Sequence, residues 1–582
     1  MKTYFRLNVI MLCFSAFLSS CGEKWLEVRP EDTVDQYSLA DEAGINVLLI
    51  GAYSMLDGVT EAFYTAWKIG SSNWLFGSIR GMEANKGSDM GDSSYDINAI
   101  QTFSERVSNK WTTTCLNDRW KALYESVSRC NYVIRVTIQA LEDGNISQDK
   151  ADLFFKQARV LRGWYHFEAW RMWNMIPYVD ENTDQNTLTN TEDIREKIIA
   201  DLEEGTSLPD NMGAIGKFNN TVSKVLLAKA LMQMYHDYDE ALTLLSDVKT
   251  NGTKPDGSAI GLATTYGEIF DIENRNGLES VYTVQYSVND GSGGWNGGYG
   301  EVMNFPYKSG ESPAGCCGFF QPTQEFVNSF RTSGGLPLLD NNYNSDPVVS
   351  DQGLTPADPF TEDTGELDPR LDWSVGRRGI PYWDWDIHTG SDWIRDQAYA
   401  GPYSPKKQVY KKSQEGILTE TSSWTSGYTA NGYRMIRYAD ILLLLAECQI
   451  ETGDLTRALA NINAVRARAS NPEGFVKEAD GVTPAANYQI SEYSSFQDID
   501  HARKALWMER KLELGQEGHR WFDLNRWGIT VEELTRVLNY ERTMPWGRWI
   551  YGTWTDLGPE DITYPIPQEQ IDQSNGRLKQ NR

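Results

Sequence analysis

Apolar residues recur at three- and four-residue steps through residues 118–249 and again through 433–528, and between about 250 and 430 that rhythm is lost. A helix with one apolar stripe must bury it against another element. Helix must therefore pack on helix at both ends of the chain, with a long non-helical passage accommodated between them. DRWKALYESVSRCNYVIRVTIQAL (118–141) shows the period, with Trp120, Leu123, Tyr124, Val127, Cys130 and Ile134 on one face. QARVLRGWYHFEAWRMW (157–173) reads as a helix that stops before Pro177, and TEDIREKIIADLEEG (191–205) as one opened by Thr191 and first-turn acids. Residues 222–249 read as two helices broken near HDYD, and helices resume at 433–453, 456–470 and 498–528.

LLLAECQIETGDLTRALANINAV (443–465) has the pattern of a tetratricopeptide unit. Ala446 and Ala458 stand where its helices would cross closely, and Gly453 lies near the turn. LAKALMQMYHDYDEALTLLSDV (227–248) repeats the idea with a one-residue slip. The fold expected is mostly α: tetratricopeptide-like stacked helical hairpins with an irregular, loop-rich excursion holding short strands such as SVYTVQYSV (280–288). The expected divisions are a leader at 1–20, a helical region at 21–249, the excursion at 250–430 and a second helical region at 431–582.

Lys2 and Arg6 precede LNVIMLCFSAFL and then SSC, the layout of a secretory signal, and the apolar run falls short of the roughly 20 residues a spanning helix needs. LSSC (18–21) has the form of a bacterial lipobox, in which Cys21 is acylated; the alternative is an ordinary signal peptide in which Cys21 is incidental. Cys115, Cys130, Cys316, Cys317 and Cys448 remain, an odd number that leaves at least one thiol unpaired, and none stands at zinc-site spacing. The formal net charge of −27 argues against nucleic acid, whose binding rests on neutralising phosphates, and suits an uncharged ligand.

Behind the lipobox come, in order, WLEVRP (25–30), WKALYESVSRCNYVI (120–134), QARVLRGWYHFEAWRMWNMIPYV (157–179) and SKVLLAKALMQMYHDYDEAL (223–242). RYADILLLLAEC (437–448), INAVRARA (462–469), ERKLELGQEGHRWFDLNRWG (509–528) and TYPIPQEQI (563–571) follow. This ordered set resembles the SusD/RagB family of Bacteroidetes outer-membrane lipoproteins. The resemblance implies a right-handed tetratricopeptide-like scaffold bearing an irregular ligand face. It also implies exposure at the cell surface and a lid-like association with a SusC-like TonB-dependent transporter that imports what is captured, typically a glycan, in some members a peptide or other nutrient. A surface glycoside hydrolase and a helical-repeat adaptor for another protein are the alternative readings.

Glu513 and Glu517 could be read as a hydrolase's carboxylate pair. Four apart on one helix they would point the same way, whereas glycoside hydrolysis needs carboxyls on opposite sides of the bond. With Arg510, Arg520, Asp523 and Arg526 close by in sequence they suit an ion-pair network. His166, His236, His388, His501 and His519 are scattered, and no nucleophile elbow or phosphate-binding loop is present in the sequence, so no catalytic residue is assigned. DNNYNSD (340–346) alternates oxygen donors at Asp340, Asn342, Asn344 and Asp346 as a calcium loop does. It has Ser345 where that loop needs glycine and Asp351 where it needs glutamate, so a polar turn is the preferred reading, calcium the alternative, and no cofactor is assigned.

GSGGWNGGYG (291–300) sets two large rings among six glycines, too loose for a core strand but fit for a loop that shows flat rings to something outside. PYWDWDIHTGSDW (381–393) and SSNWLFGSIRGMEANKGSD (71–89) also mix rings with Asn or Asp. Rings can cover the C–H face of a pyranose while carboxylates and amides bond its hydroxyls. The expected ligand contacts are Trp74, Trp295 and Tyr299, whose segments lie roughly where the resemblance places the site, and after them Asp89, Trp383, Trp385 and Trp393.

Overall fold

The computed structural model of the protein describes residues 36–59, 66–92, 96–105, 114–308, 312, 313, 315–552 and 556–581. The leader, Cys21 and WLEVRP lie outside the described residues. The helical periodicity becomes a continuous stack. Helix α1 (Glu42–Ser54) is capped by Asp41, whose carboxylate accepts from the Gly44 N–H at 2.8 Å. Helices α2 (Thr114–Glu142) and α3 (Gln148–Trp173) form a long hairpin, followed by α4 (Arg195–Gly205), α5 (Asn220–Tyr235) and α6 (Tyr238–Asn251), each packed on its predecessor.

The stack then continues across the excursion, because α6 packs directly on α7 (Tyr438–Glu451). Helices α7 and α8 (Leu455–Ala469) make the hairpin expected from the sequence, with Ala446 and Ala458 fully buried and Gly453 at φ +89° in the turn. Helix α9 (Ile499–Leu514) packs on both, and α10 (Arg520–Trp527) and α11 (Thr530–Glu541) close the C-terminal side.

Three boundaries differ from the sequence expectation. Residues 433–437 do not open a helix: Tyr433–Arg437 is a strand, β2, paired antiparallel with β1 (Ser280–Val284), so the start of the excursion is laced to its end. Residues 498–528 are not one helix. The chain leaves α9 at Gly515 and passes through Gln516 at φ +65° and Gly518 at φ +80°, where Gly518 and Gly77 cross with no room for a Cβ on either. Thr191 caps nothing; α4 starts four residues later, where Asp193 pairs with Arg195 at 2.6 Å. The sheets of the excursion are all two-stranded.

A buried ion network joins excursion to stack. Arg437 of β2 reaches Glu279, Glu513 and Glu517; Arg468 reaches Glu279 and Glu513; Arg370 reaches Asp368, Glu509 and Glu513. Arg466 takes the other oxygen of Glu509, and Lys407 pairs with Glu517 at 2.9 Å. Charges taken out of water survive only when paired and hydrogen-bonded, and here every one is. Glu513 and Glu517 are thus structural, as their surroundings in sequence suggested, but they converge on Arg437 from either side of the α9 terminus and do not lie on one helix.

Candidate functional site

The glycine-rich loop answers its own peculiarity. Gly291, Gly293 and Gly294 hold φ of +88°, +67° and +98°, conformations a side-chain-bearing residue rarely adopts. They fold the loop flat against Tyr428: a Cβ on Gly294 would come within 2.9 Å of that ring, and one on Gly297 within 3.3 Å of the Tyr428 Cβ. Beyond them the turn Tyr299–Glu301 lays Tyr299 on Tyr428, ring centres 5.6 Å apart and planes 14° apart. Trp295 leans on Tyr299 at 5.6 Å and is 41% exposed. On the far side Trp424 meets Tyr428 edge-on at 6.3 Å, donates its indole N–H to the Tyr428 oxygen at 3.3 Å, and is 62% exposed. Two exposed indoles therefore flank a stacked tyrosine pair.

Polar side chains rim this platform. Asp290 accepts from the Ser292 N–H, the Ser287 hydroxyl and the Asn296 amide, and these bonds hold its carboxyl well below the usual carboxylate range. Glu420 accepts from the Asn289 N–H at 2.7 Å and the Ser422 hydroxyl at 2.6 Å. From the platform the chain 315–318 leads to a second polar cluster. Gly315 sits against Thr425 and Gly427, Cys316 and Cys317 are joined as a disulfide, and Gly318 sits against Arg395, Ser88 and Tyr307. There Arg395 pairs with Asp89 at 2.8 Å and Asp92 at 2.7 Å, 5.6 Å from the ring of the part-exposed Tyr307. Lys86 donates to the Asp89 and Asp92 carbonyls, and burial pulls its ammonium down to about 8.

Of the residues singled out from sequence, Trp295 and Asp89 are exposed or part-exposed here, whereas Tyr299 is only 6% exposed and lies beneath Trp295 in its stack on the equally buried Tyr428, so it supports the platform from below. Trp74 does not: it is 2% exposed, stacked on Trp67 at 5.8 Å, with its N–H given to the Trp67 carbonyl. Trp393 is 4% exposed and packs on Tyr382 and His388. Trp383 and Trp385 are half-buried, and their indole N–H groups are used by the carbonyls of Lys406 and Tyr410. Within the excursion the α-helices are only four or five residues long, too short to build a core, so its interior is filled with rings such as Trp383, Trp385 and Trp393; Trp74, in the N-terminal region, is covered by Trp67 and Phe320. Trp424, Tyr428 and Tyr307 were not anticipated. The signal for the first two was present in SSWTSGYT (422–429), which sets two rings among small residues as GSGGWNGGYG does.

In 340–346 Asp340 pairs with Lys504 at 2.9 Å, the Asn344 oxygen accepts from Asn328 at 3.0 Å, and the exposed Asp346 lies 3.7 Å from Arg331. No group of His, Cys, Asp and Glu among the described residues is placed to hold a metal. Cys115, Cys130 and Cys448 are buried free thiols. Hollows of about 410 Å³ beside Trp507 and about 430 Å³ beside Trp120 lie on the helical scaffold, away from the platform, which is an open surface.

The family model described as the SusD family matches residues 278–582. A SusD-like protein of Formosa agariphila is 21% identical over 598 residues, covering 97% of this chain and 96% of its own. Among solved structures, a SusD superfamily protein from Bacteroides vulgatus matches with a TM-score of 0.65 and 19% identity, over 94% of this chain and 99% of that one. Surface glycan-binding protein A from Bacteroides thetaiotaomicron, in complex with laminarihexaose, matches with a TM-score of 0.62 and 20% identity, over 93% and 99%.

Proposed function

The chain belongs to the SusD family, and from that premise we propose that it is a non-enzymatic surface lipoprotein, anchored through Cys21, that binds glycans and delivers them to a SusC-like TonB-dependent transporter. The observation that carries the binding reading is the pair of exposed indoles, Trp295 and Trp424, on either side of the Tyr299–Tyr428 stack. Rings of this kind cover the C–H faces of successive pyranoses, and the exposed Asp290 and Asn296 at the rim offer bonds to their hydroxyls. A structural neighbour in complex with laminarihexaose supports the same ligand class. Open stacking with few enclosed hydrogen bonds predicts dissociation constants in roughly the micromolar to millimolar range.

The test is a glycan panel, laminarihexaose included, applied to the chain lacking residues 1–21. Retention that drops in Trp295→Ala and Trp424→Ala, without release of reducing sugar, supports the reading. Cleavage of a panel member would establish a hydrolase instead. Co-purification of the transporter with unchanged glycan retention in both variants would favour an adaptor.

A further inference from the structure

The turn Tyr299–Glu301 has two sides with different chemistry. Tyr299 faces the platform, while the Glu301 carboxyl is turned inward with its Oε1 buried. Gly300, between them, lets the turn sink: a Cβ on Gly70 would come 2.7 Å from the Gly300 Cα, and one on Gly300 would come 3.0 Å from the Gly70 Cα. Beneath lies a cavity of about 10 Å³ walled by Ser72, Trp74, Glu301, Asn304, Arg434 and Gln516, among others. The wall is rich in polar atoms that have no hydrogen-bond partner among the described residues. They are the Ser72 Oγ, Glu301 Oε1, both polar side-chain atoms of Asn304, both of Gln516, and Arg434 Nε. Asn304, Gln516 and Arg434 are each more than nine-tenths buried.

Buried polar groups without partners are costly, and so many around one small space identify what fills it. A cation there would meet the Arg434 guanidinium, and an anion would meet the Glu301 carboxyl. Water alone both donates and accepts, and the space suits a single molecule.

We propose that this cavity is a bound-water site, and that Glu301, Asn304 and Gln516, joined through that water, are positioning residues for the Tyr299 side of the platform. Its consequence for ligand rests on the glycan-binding reading; the site itself does not. The site is also sensitive to pH. Burial pushes the Glu301 carboxyl up to about 7. Facing it are Arg434, Glu517 with its partners Arg437 and Lys407, and the phenols of Tyr286 and Tyr433. Behind Gln516, whose N–H donates to Glu83 at 2.9 Å, burial pushes that carboxyl up to about 7 as well. The folded state thus favours the protonated acid, and the socket loosens as pH rises through about 7.

Hydrogen exchange on the chain lacking residues 1–21 tests this without depending on any glycan. After correction for intrinsic exchange, amides 299–304 of the parent chain lose about tenfold protection between about pH 6 and pH 8, while Glu301→Gln, which keeps only Glu83 behind Gln516 to ionise, loses several-fold less. Asn304→Ser lowers protection at both pH values, and laminarihexaose affinity follows the same pattern across the variants. A crystal structure shows one water bonded to Glu301, Asn304 and Gln516. The proposal is overturned if Glu301→Gln and the parent chain respond alike to pH, or if density shows no water there. Should Asn304→Ser fail to fold, the isosteric Glu301→Gln comparison decides alone. An intact exchange pattern with no glycan bound by any variant would defeat the glycan reading and leave this one standing.

Discussion

Gly294 lies flat against Tyr428, so close that a Cβ at 294 would stand 2.9 Å from the Tyr428 Cγ. The substitution Gly294→Ala therefore attacks the platform from below. It adds a methyl group where the ring sits and forces a side-chain-bearing residue to φ +98°, at about 1 kcal/mol of backbone strain. The loop is expected to lift, taking Trp295 with it. Laminarihexaose affinity should fall by roughly fivefold or more, about 1 kcal/mol, while the melting temperature moves by only a few degrees. Titration calorimetry beside a thermal melt separates the two effects.

The buried and exposed tryptophans should part company under substitution. Trp424→Ala and Trp295→Ala remove rings that are more than two-fifths exposed, so stability should change by about 0.5 kcal/mol or less while glycan retention drops. Trp74→Ala empties a site stacked on Trp67 and edged by Phe320, which should destabilise the fold by about 3–5 kcal/mol. Urea unfolding and affinity electrophoresis on the three variants give the comparison. Equal stability loss in all three would remove the distinction between platform and core.

The ion network should report itself in acid. Glu513→Gln leaves Arg437, Arg468 and Arg370 short of one buried counter-charge, and the expected loss is about 3–5 kcal/mol at neutral pH. Burial alone would raise both carboxyls. The surrounding arginines outweigh it, holding Glu513 well below the ordinary carboxylate range and Glu517 down to about 2. Folded-state values below the unfolded ones mean that this contribution is complete above about pH 4.5 and disappears as pH falls toward 2. Urea midpoints taken from pH 7 to pH 2.5 should fall more steeply for the parent chain than for Glu513→Gln.

Legibility in the sequence followed the range of the interactions. The α7–α8 hairpin could be read because Ala446, Gly453 and Ala458 act within about a dozen residues of one another. β2 could not, since the strand at 433–437 exists only by pairing with 280–284, and its apolar residues fit a helical rhythm equally well. The same divide runs through the site. Trp295 and Tyr299 announced themselves by their glycines, but whether a ring in a loop faces water depends on what folds over it. Trp74 is covered by Phe320, distant in sequence, and Trp393 by Tyr382 and His388 of its own folded-back segment, while Trp424 is left open. Asp89 gained its place only because Arg395 arrives from about 300 residues away.

One buried carboxyl should behave in the opposite sense to the network. Glu541, at the end of α11, is fully buried and accepts the Glu325 N–H at 2.7 Å, and its other oxygen has no partner among the described residues. Burial, and after it the charge of Glu325, pushes the carboxyl up to about 8, while Lys511 and Arg536 hold Glu325 itself low. A folded-state value above the unfolded 4.5 means that stability is greatest below about pH 4.5 and is lost as pH rises through about 8. Glu541→Gln keeps an acceptor for the Glu325 N–H and can never ionise. It should match the parent chain near pH 5 and exceed it near pH 9 by on the order of 4 kcal/mol, read from urea unfolding at the two values. A variant less stable than the parent at both would show that the carboxyl ionises freely in the fold, and that a partner for its second oxygen compensates the burial.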